Sequence, residues 1–242
     1  MTRPNPFSQA DTNSGITTHR EFPAVLFDLD GTLIDSNYQH VNTWSEALLA
    51  ADIVIPRWKI HRRVGMSGKS MLQELLREIP RGKRRIDLEQ LEKQHDRNFR
   101  RTVPHLQSLP GANELLAHLF RHKIRIAIAT TGGKAATGLL LQRLKLPSQM
   151  PVVTGDDVKK AKPSPDVFVE AARRLRVEID NCIVVGDSEW DLLAAVRKSA
   201  LGVGFLSGGY AQAELERAGA FRVYSDAADM LMHIEQLGLP GR

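Results

Sequence analysis

Residues 22–36 read Phe22-Pro-Ala-Val-Leu-Phe-Asp-Leu-Asp-Gly-Thr-Leu-Ile-Asp-Ser36, and this stretch decides the fold. The run Val25-Leu26-Phe27 is short, apolar and partly β-branched, so it reads as a buried strand. It delivers Asp28, one intervening residue, Asp30, and then Gly31, which takes backbone angles that other residues resist and turns the chain just past the strand end. Open α/β sheets place their ligand sites at such strand ends. Two carboxylates there repel each other and invite a hard divalent cation with oxygen ligands, most simply Mg²⁺. An Asp-x-Asp-Gly turn also serves as an ordinary polar loop, so the rest of the chain has to decide.

Downstream the pattern changes. Residues 38–103 carry helical spacing: Val41, Trp44, Ala47 and Leu48, then Met71, Leu72, Leu75, Leu76 and Ile79, with Pro56, Pro80 and Pro104 as punctuation. This predicts an all-helical insert. From about residue 111 helices and strands alternate. Helices are expected over 112–122, 134–144, 165–175, 189–198 and 227–237, and strands over 124–129, 152–153, 183–185, 201–205 and 221–224. Such alternation implies right-handed crossovers and a mostly parallel sheet covered on both faces.

Three more polar signals end predicted strands. Thr130-Thr-Gly-Gly133 offers hydroxyls and N–H groups able to cradle an anion. Lys162 precedes Pro163 and Pro165, whose stiff backbone makes it a positioned point charge. Gly186-Asp187-Ser-Glu-Trp-Asp191 places two acids about one helical turn apart. Singly, Thr130 reads equally as a helix cap, Lys162 as a surface charge and Asp187 as an N-cap. Together, in this order and each at a strand end, they are specific.

The bounds from composition agree. The chain has 242 residues, 42% hydrophobic and 25% charged, which suits a soluble globular protein of one large domain or a core plus an insert. Residues 1–20 are rich in Pro, Asn, Ser and Thr and read as a disordered lead without the apolar core of a secretory signal. No apolar run reaches the ~18 residues of a membrane span. The lone Cys182 fits a reducing, cytoplasmic setting and reads as a small buried hydrophobe. Of the net charge of +5, residues 56–104 hold 14 Lys and Arg against 6 Asp and Glu, including the clusters 57–63 and 81–85 and Arg97, Arg100 and Arg101. Most of these read as a solvated helix face. Nucleic acid is not expected, because no recognition motif and little aromatic interleaving accompany the charge.

On Asp28-Leu-Asp30-Gly-Thr-Leu, Thr130, Lys162 and Gly186-Asp187-Ser-Glu-Trp-Asp191, the chain resembles the haloacid dehalogenase-like (HAD) hydrolase superfamily, in its helical-cap subgroup of phosphoglycolate phosphatases and β-phosphoglucomutases. Residues 207–210 and the tail carry a weaker likeness to the phosphoglycolate phosphatases. The resemblance implies a Rossmann-like, doubly wound, mostly parallel α/β core over 21–36 and 105–242, with an inserted helical cap over 37–104. It implies Asp28 as nucleophile and Asp30 as general acid and base. It implies Mg²⁺ held by Asp28, the Asp30 carbonyl and Asp187, with Asp191 near the metal or orienting Lys162. Thr130, Lys162 and the N–H groups of Leu29 and Thr131 would hold the phosphate. The function implied is a Mg²⁺-dependent phosphatase acting on a small phosphorylated metabolite. A sugar-phosphate mutase is the rival, and a non-catalytic binding protein on the same fold is a further alternative. Asp30 argues against the dehalogenase branch, whose halide leaves without a proton.

In the insert, His61-Arg-Arg-Val-Gly65-Met-Ser-Gly-Lys69-Ser70 ends like a nucleotide P-loop, but Arg63 stands where that motif needs glycine. The resemblance makes Gly65, Ser67 and Lys69 candidate specificity residues, against a plain loop with Ser67 as helix N-cap. Substrate identity, and monomer against dimer, stay open.

Overall fold

The computed structural model describes residues 22–78, 86–146 and 149–241. The lead expected over 1–20, Ile79, Pro80 and the basic cluster 81–85 lie outside the described residues.

Six strands form one parallel sheet: β1 Ala24–Phe27, β2 Ile126–Ala129, β3 Val152–Val153, β4 Cys182–Gly186, β5 Leu201–Phe205 and β6 Ala220–Tyr224. Their order is β3-β2-β1-β4-β5-β6. The chain therefore builds outward from β1 to β3, then returns to the other side of β1 with β4. The point of reversal, beside β1, is where a doubly wound sheet opens a crevice.

Helices cover both faces because the central strands β1, β2 and β4 are apolar and buried on both sides. Val25 and Phe27 point to a layer with Leu115, Leu119 and Met230, from α5 (Ala112–Arg121) and α10 (Ala227–Met232). Ala24 and Leu26 point the other way, onto Val167, Phe168 and Ala171 of α7 (Asp166–Leu175) and Ala194 and Ala195 of α8 (Glu189–Val196). A further helix, α6 (Lys134–Leu141), follows β2, and α9 (Gln212–Arg217) precedes β6.

Between β1 and α5 come α1 (Asn37–Leu49), α2 (Arg57–His61), α3 (Gly68–Arg77) and α4 (Leu88–Thr102). They bury a cluster of their own around Trp44, Leu48, Ile60, Met71, Leu72 and Leu91. Of the expected stripes, Val41, Trp44 and Leu48 meet Met71, Leu72 and Leu75 there, whereas Ala47 and Leu76 lie outside the cluster.

Several boundaries differ from the sequence reading: the strand expected from 124 begins at Ile126, and the helix expected to reach 198 ends at Val196. The helix expected to end at 144 stops at Leu141. The closing helix expected over 227–237 breaks at His233, whose ring bonds the carbonyl and carboxylate of Asp229 as its backbone leaves the helical region (φ −118°, ψ 22°), and a short 3-10 turn follows.

Candidate active site

Phe27 pairs with Ile128 on one side and Val185 on the other, so the three central strands end level with one another. Asp28, Thr130 and Asp187 leave those ends together, and all three are buried. Gly31 makes the turn that follows, at φ +81°. A side chain there would collide with Asn37 and with the Asp187 carboxylate, at 2.2 and 2.5 Å.

Lys162 does not end a strand as expected: it lies well beyond β3, reaches this point from the loop before α7, and is fully buried rather than a surface charge. Its ammonium contacts Asp28 Oδ1 and lies 2.7 Å from Asp191 Oδ1. Burial alone would lower its pKa, but the two carboxylates outweigh burial and hold it protonated, above its ordinary value.

Asp191 has a second duty. Its other oxygen accepts from Ser188 N–H and Ser188 Oγ, closing a capping box at the start of α8. Ser188, not Asp187, is therefore the N-cap. Thr130 is likewise no cap: Gly133 occupies that position for α6, and the Thr130 hydroxyl accepts from Gly132 N–H at 3.0 Å.

Asp187 accepts from Thr32 Oγ1 at 2.8 Å and from Asn37 Nδ2 at 2.7 Å. Burial, then repulsion from Asp191, still pushes its carboxyl up to about 7. The Asp28 carboxyl also rises well above the usual range, through burial first and then its acidic neighbours, against the pull of Lys162. Oxygens of Asp28, Asp187 and Asp191 all lie within 4.8 Å of one another. Three buried carboxylates share one buried ammonium, so the all-oxygen set carries uncompensated negative charge when ionised. A divalent cation with oxygen preference fits this donor set.

The Asp30 carboxylate turns away from that cluster. Its Oδ1 accepts from Ser36 Oγ at 2.6 Å and lies 3.1 Å from His40 Nε2. Its Oδ2 lies 3.4 Å from Thr130 Oγ1. Burial would raise Asp30, but the charge of His40 and the bonds from His40 and Ser36 leave its carboxyl below the ordinary value.

A cavity of about 470 Å³ opens over Asp28 and Asp30, between the loop 130–133 and the helical insert. Gly65 and Ser67 line it, as does Trp44. Ser67 is also the N-cap of α3, accepting from Ser70 N–H. Lys69 is exposed in the first turn of α3, off the cavity wall, with its N–H bonded to the Glu92 carboxylate. Thr131 joins core to insert, its hydroxyl donating to Gly65 O at 3.1 Å. Leu29 buries its side chain in the core, and its carbonyl accepts from Leu33 and Ile34.

Several contacts here had no sequence signal. Trp190 Nε1 and Tyr210 OH both donate to Arg62 O, at 3.2 and 3.1 Å, and His61 Nε2 lies 2.8 Å from Gly208 O. These contacts seat the 61–67 strip of the insert on the core. His40, His95 and Asn37 were equally silent, since no spacing along the chain relates them to Asp30 or Asp187.

Comparison with known proteins agrees with this geometry. Residues 22–197 match the haloacid dehalogenase-like hydrolase family, and the chain belongs to it. It is 31% identical to a plasmid-borne phosphoglycolate phosphatase of Cupriavidus necator over 192 residues, 78% of this chain and 82% of that one. It is 28% identical to the β-phosphoglucomutase of Bacillus subtilis over 218 residues, 88% of this chain and 94% of that one. The crystal structure of a hydrolase from Pseudomonas syringae superposes with a TM-score of 0.84 at 46% identity, covering 89% of this chain and 98% of that one.

Proposed function

We propose that this member of the haloacid dehalogenase-like hydrolase family is a Mg²⁺-dependent phosphatase that releases a neutral, hydroxyl-bearing alcohol from its phosphate ester. The observation that carries the reading is the division of labour between two carboxylates one residue apart. Asp28 sits in the acidic cluster against Lys162, and Asp30 sits outside it, hydrogen-bonded and facing the same cavity.

Asp28 attacks phosphorus, forming an aspartyl-phosphate as the ester P–O bond breaks. Asp30 gives its proton to the departing alcohol oxygen. As a carboxylate it then takes a proton from water, whose oxygen attacks phosphorus and releases inorganic phosphate with Asp28 restored. Thr130, Lys162 and the N–H groups of Leu29 and Thr131 hold the equatorial oxygens, where charge sits during transfer. Asp28, Asp187 and the carbonyl of Asp30 are the ligands proposed for Mg²⁺, with Asp191 orienting Lys162. When bound, the ion offsets repulsion between the Asp28 carboxylate and the phosphate dianion. Residues 37–104 are read as a cap over a core of 21–36 and 105–242.

The far wall of the cavity supports a phosphatase over a mutase. It carries Glu89, Glu92 and Asp96 from α4. Lys93, on the same wall, is bound to Glu89 at 2.6 Å. A mutase must hold a bisphosphate at both ends, and this wall repels a second anion. The wall equally repels a leaving group with its own carboxylate. Carboxylates and Trp44 suit a polyol, through hydroxyl donors and an apolar face. A silent binding protein has no need of the full set Asp28, Asp30, Thr130, Lys162 and Asp187 converging at one point.

The test is phosphate release, with product identification, from sugar-alcohol phosphates, phosphoglycolate and β-glucose 1-phosphate, with and without Mg²⁺. Release from the polyol esters only with Mg²⁺ is expected. Conversion of β-glucose 1-phosphate to its 6-phosphate with little free phosphate would move the assignment to mutase, and no turnover of any ester would leave the binding protein.

A further inference from the structure

Asp30 ends a chain of four titratable side chains. His40 Nε2 lies 3.1 Å from Asp30 Oδ1, His40 Nδ1 lies 3.0 Å from His95 Nε2, and His95 Nδ1 lies 3.0 Å from Asp96 Oδ1. Both rings are held flat by aromatic neighbours. His40 stacks on Phe99 with centroids 3.9 Å apart and planes 12° from parallel, and His95 stacks on Trp44 at 4.0 Å and 13°. His95 is 6% exposed, with His40 and His95 both at the edge of the cavity.

The far end sets the direction of the chain. An ionised Asp96 only accepts, so His95 Nδ1 carries the hydrogen and its Nε2 accepts. His40 Nδ1 must then donate to it. A flip of the His40 ring would present carbon to both His95 and Asp30, so His40 Nε2 stays aimed at Asp30. With Ser36 and His40 both on Oδ1, the carboxylate cannot rotate without breaking two hydrogen bonds. Oδ2 is left beside Thr130 on the cavity side.

We propose that His95, tied to Asp96, is a positioning residue for Asp30: acting through His40, it fixes which carboxylate oxygen meets the leaving group. The inference rests on the phosphatase reading above. It makes the acid's aim depend on the packing of α1 and α4, since His40 and His95 belong to those helices and Asp30 to the core.

The experiment compares p-nitrophenyl phosphate with phenyl phosphate, each with Mg²⁺. The two are alike in shape, but p-nitrophenolate departs as a weak base and phenolate needs a proton. In His95→Ala, kcat on phenyl phosphate is expected to fall about 10-fold more than kcat on p-nitrophenyl phosphate. His95→Gln, whose amide accepts from His40 and donates to Asp96, is expected to restore most of that difference. Asp96→Ala removes a side chain that is 55% exposed, leaves the packing intact, and is expected to shift the ratio the same way. Wild-type hydrolysis of both esters with equal losses on each in His95→Ala and Asp96→Ala would overturn the inference. Hydrolysis of neither by the wild type would overturn the phosphatase reading and this inference with it.

Discussion

Asp28 and Asp30 are separated by one residue and serve opposite environments: the first is bound to the buried ammonium of Lys162, the second to the hydroxyl of Ser36 and the ring of His40. Both stand just past the end of β1, either side of the buried Leu29, and line one cavity. The turn at Gly31 and the position of α1 then divide their partners. Nucleophile and acid thereby keep different partners despite identical side chains, a cation for Asp28 and hydrogen-bond donors for Asp30.

Asp28→Asn removes the attacking oxygen and keeps the shape. Lys162 retains Asp191 as a partner, so the fold persists. Turnover is expected to fall on the order of 10⁴-fold or more, as for other attacking groups that act with their partners as a unit. Steady-state kinetics beside a thermal melt checks this, and normal activity would sink the nucleophile assignment.

Lys162→Met leaves Asp28 and Asp191 buried without their counter-charge. Breaking such a buried arrangement costs about 3–5 kcal/mol. The variant is expected to melt lower than wild type and to lose phosphate release. Part of the melting loss should return with added Mg²⁺, which supplies the missing positive charge.

Asn37 holds Asp187 at 2.7 Å from the first residue of α1. Groups that orient a ligand carboxylate typically contribute about 10–100-fold in metal affinity. Asn37→Ala is expected to weaken Mg²⁺ binding by that amount in calorimetry, and Asp187→Asn by more. Unchanged affinity in Asp187→Asn would remove it from the ligand set.

His95 predicts a pH effect on stability. Burial pushes its imidazole from 6.5 down to about 4, against the help of Asp96. Between those values the unfolded chain binds a proton that the folded chain refuses. Stability therefore rises with pH across that window and is lost as pH falls through it, by up to ~3 kcal/mol from this group. Urea midpoints at pH 4.5 and 7 should differ less in His95→Gln than in wild type.

Glu92 and Lys69 make a contrasting pair. Glu92 lines the cavity, and Lys69 lies behind it with its N–H on that carboxylate. Glu92→Gln is expected to lower the KM for phosphoglycolate relative to a polyol phosphate. Lys69→Ala keeps that backbone bond and removes the positive charge beside Glu92, so it should move the ratio the other way and by less. Selectivity unchanged in both would clear this wall of a role.

Much of this was legible before any coordinates. The strand Val25–Phe27, the stripes at 41–48 and 71–75, and the residues leaving strand ends at Asp28, Thr130 and Asp187 follow from local periodicity and turn chemistry. The helix break at His233 was not legible, because a side chain bonding back to Asp229 competes there with continued helix.

The sequence by itself determined the six strands, most of the helices and their order, though not α9 (Gln212–Arg217) or every element end, because backbone preference and side-chain period act over a few residues. Tertiary structure alone decided that β1 lies between β2 and β4, that α1 and α4 bring His40 against His95 across 55 positions of chain, and that Asp30 meets them rather than the acidic cluster. Those contacts depend on the angles at which helices pack and on the apolar cluster between them, and a packing angle is set by the fit of two distant surfaces, which no local pattern along the chain records.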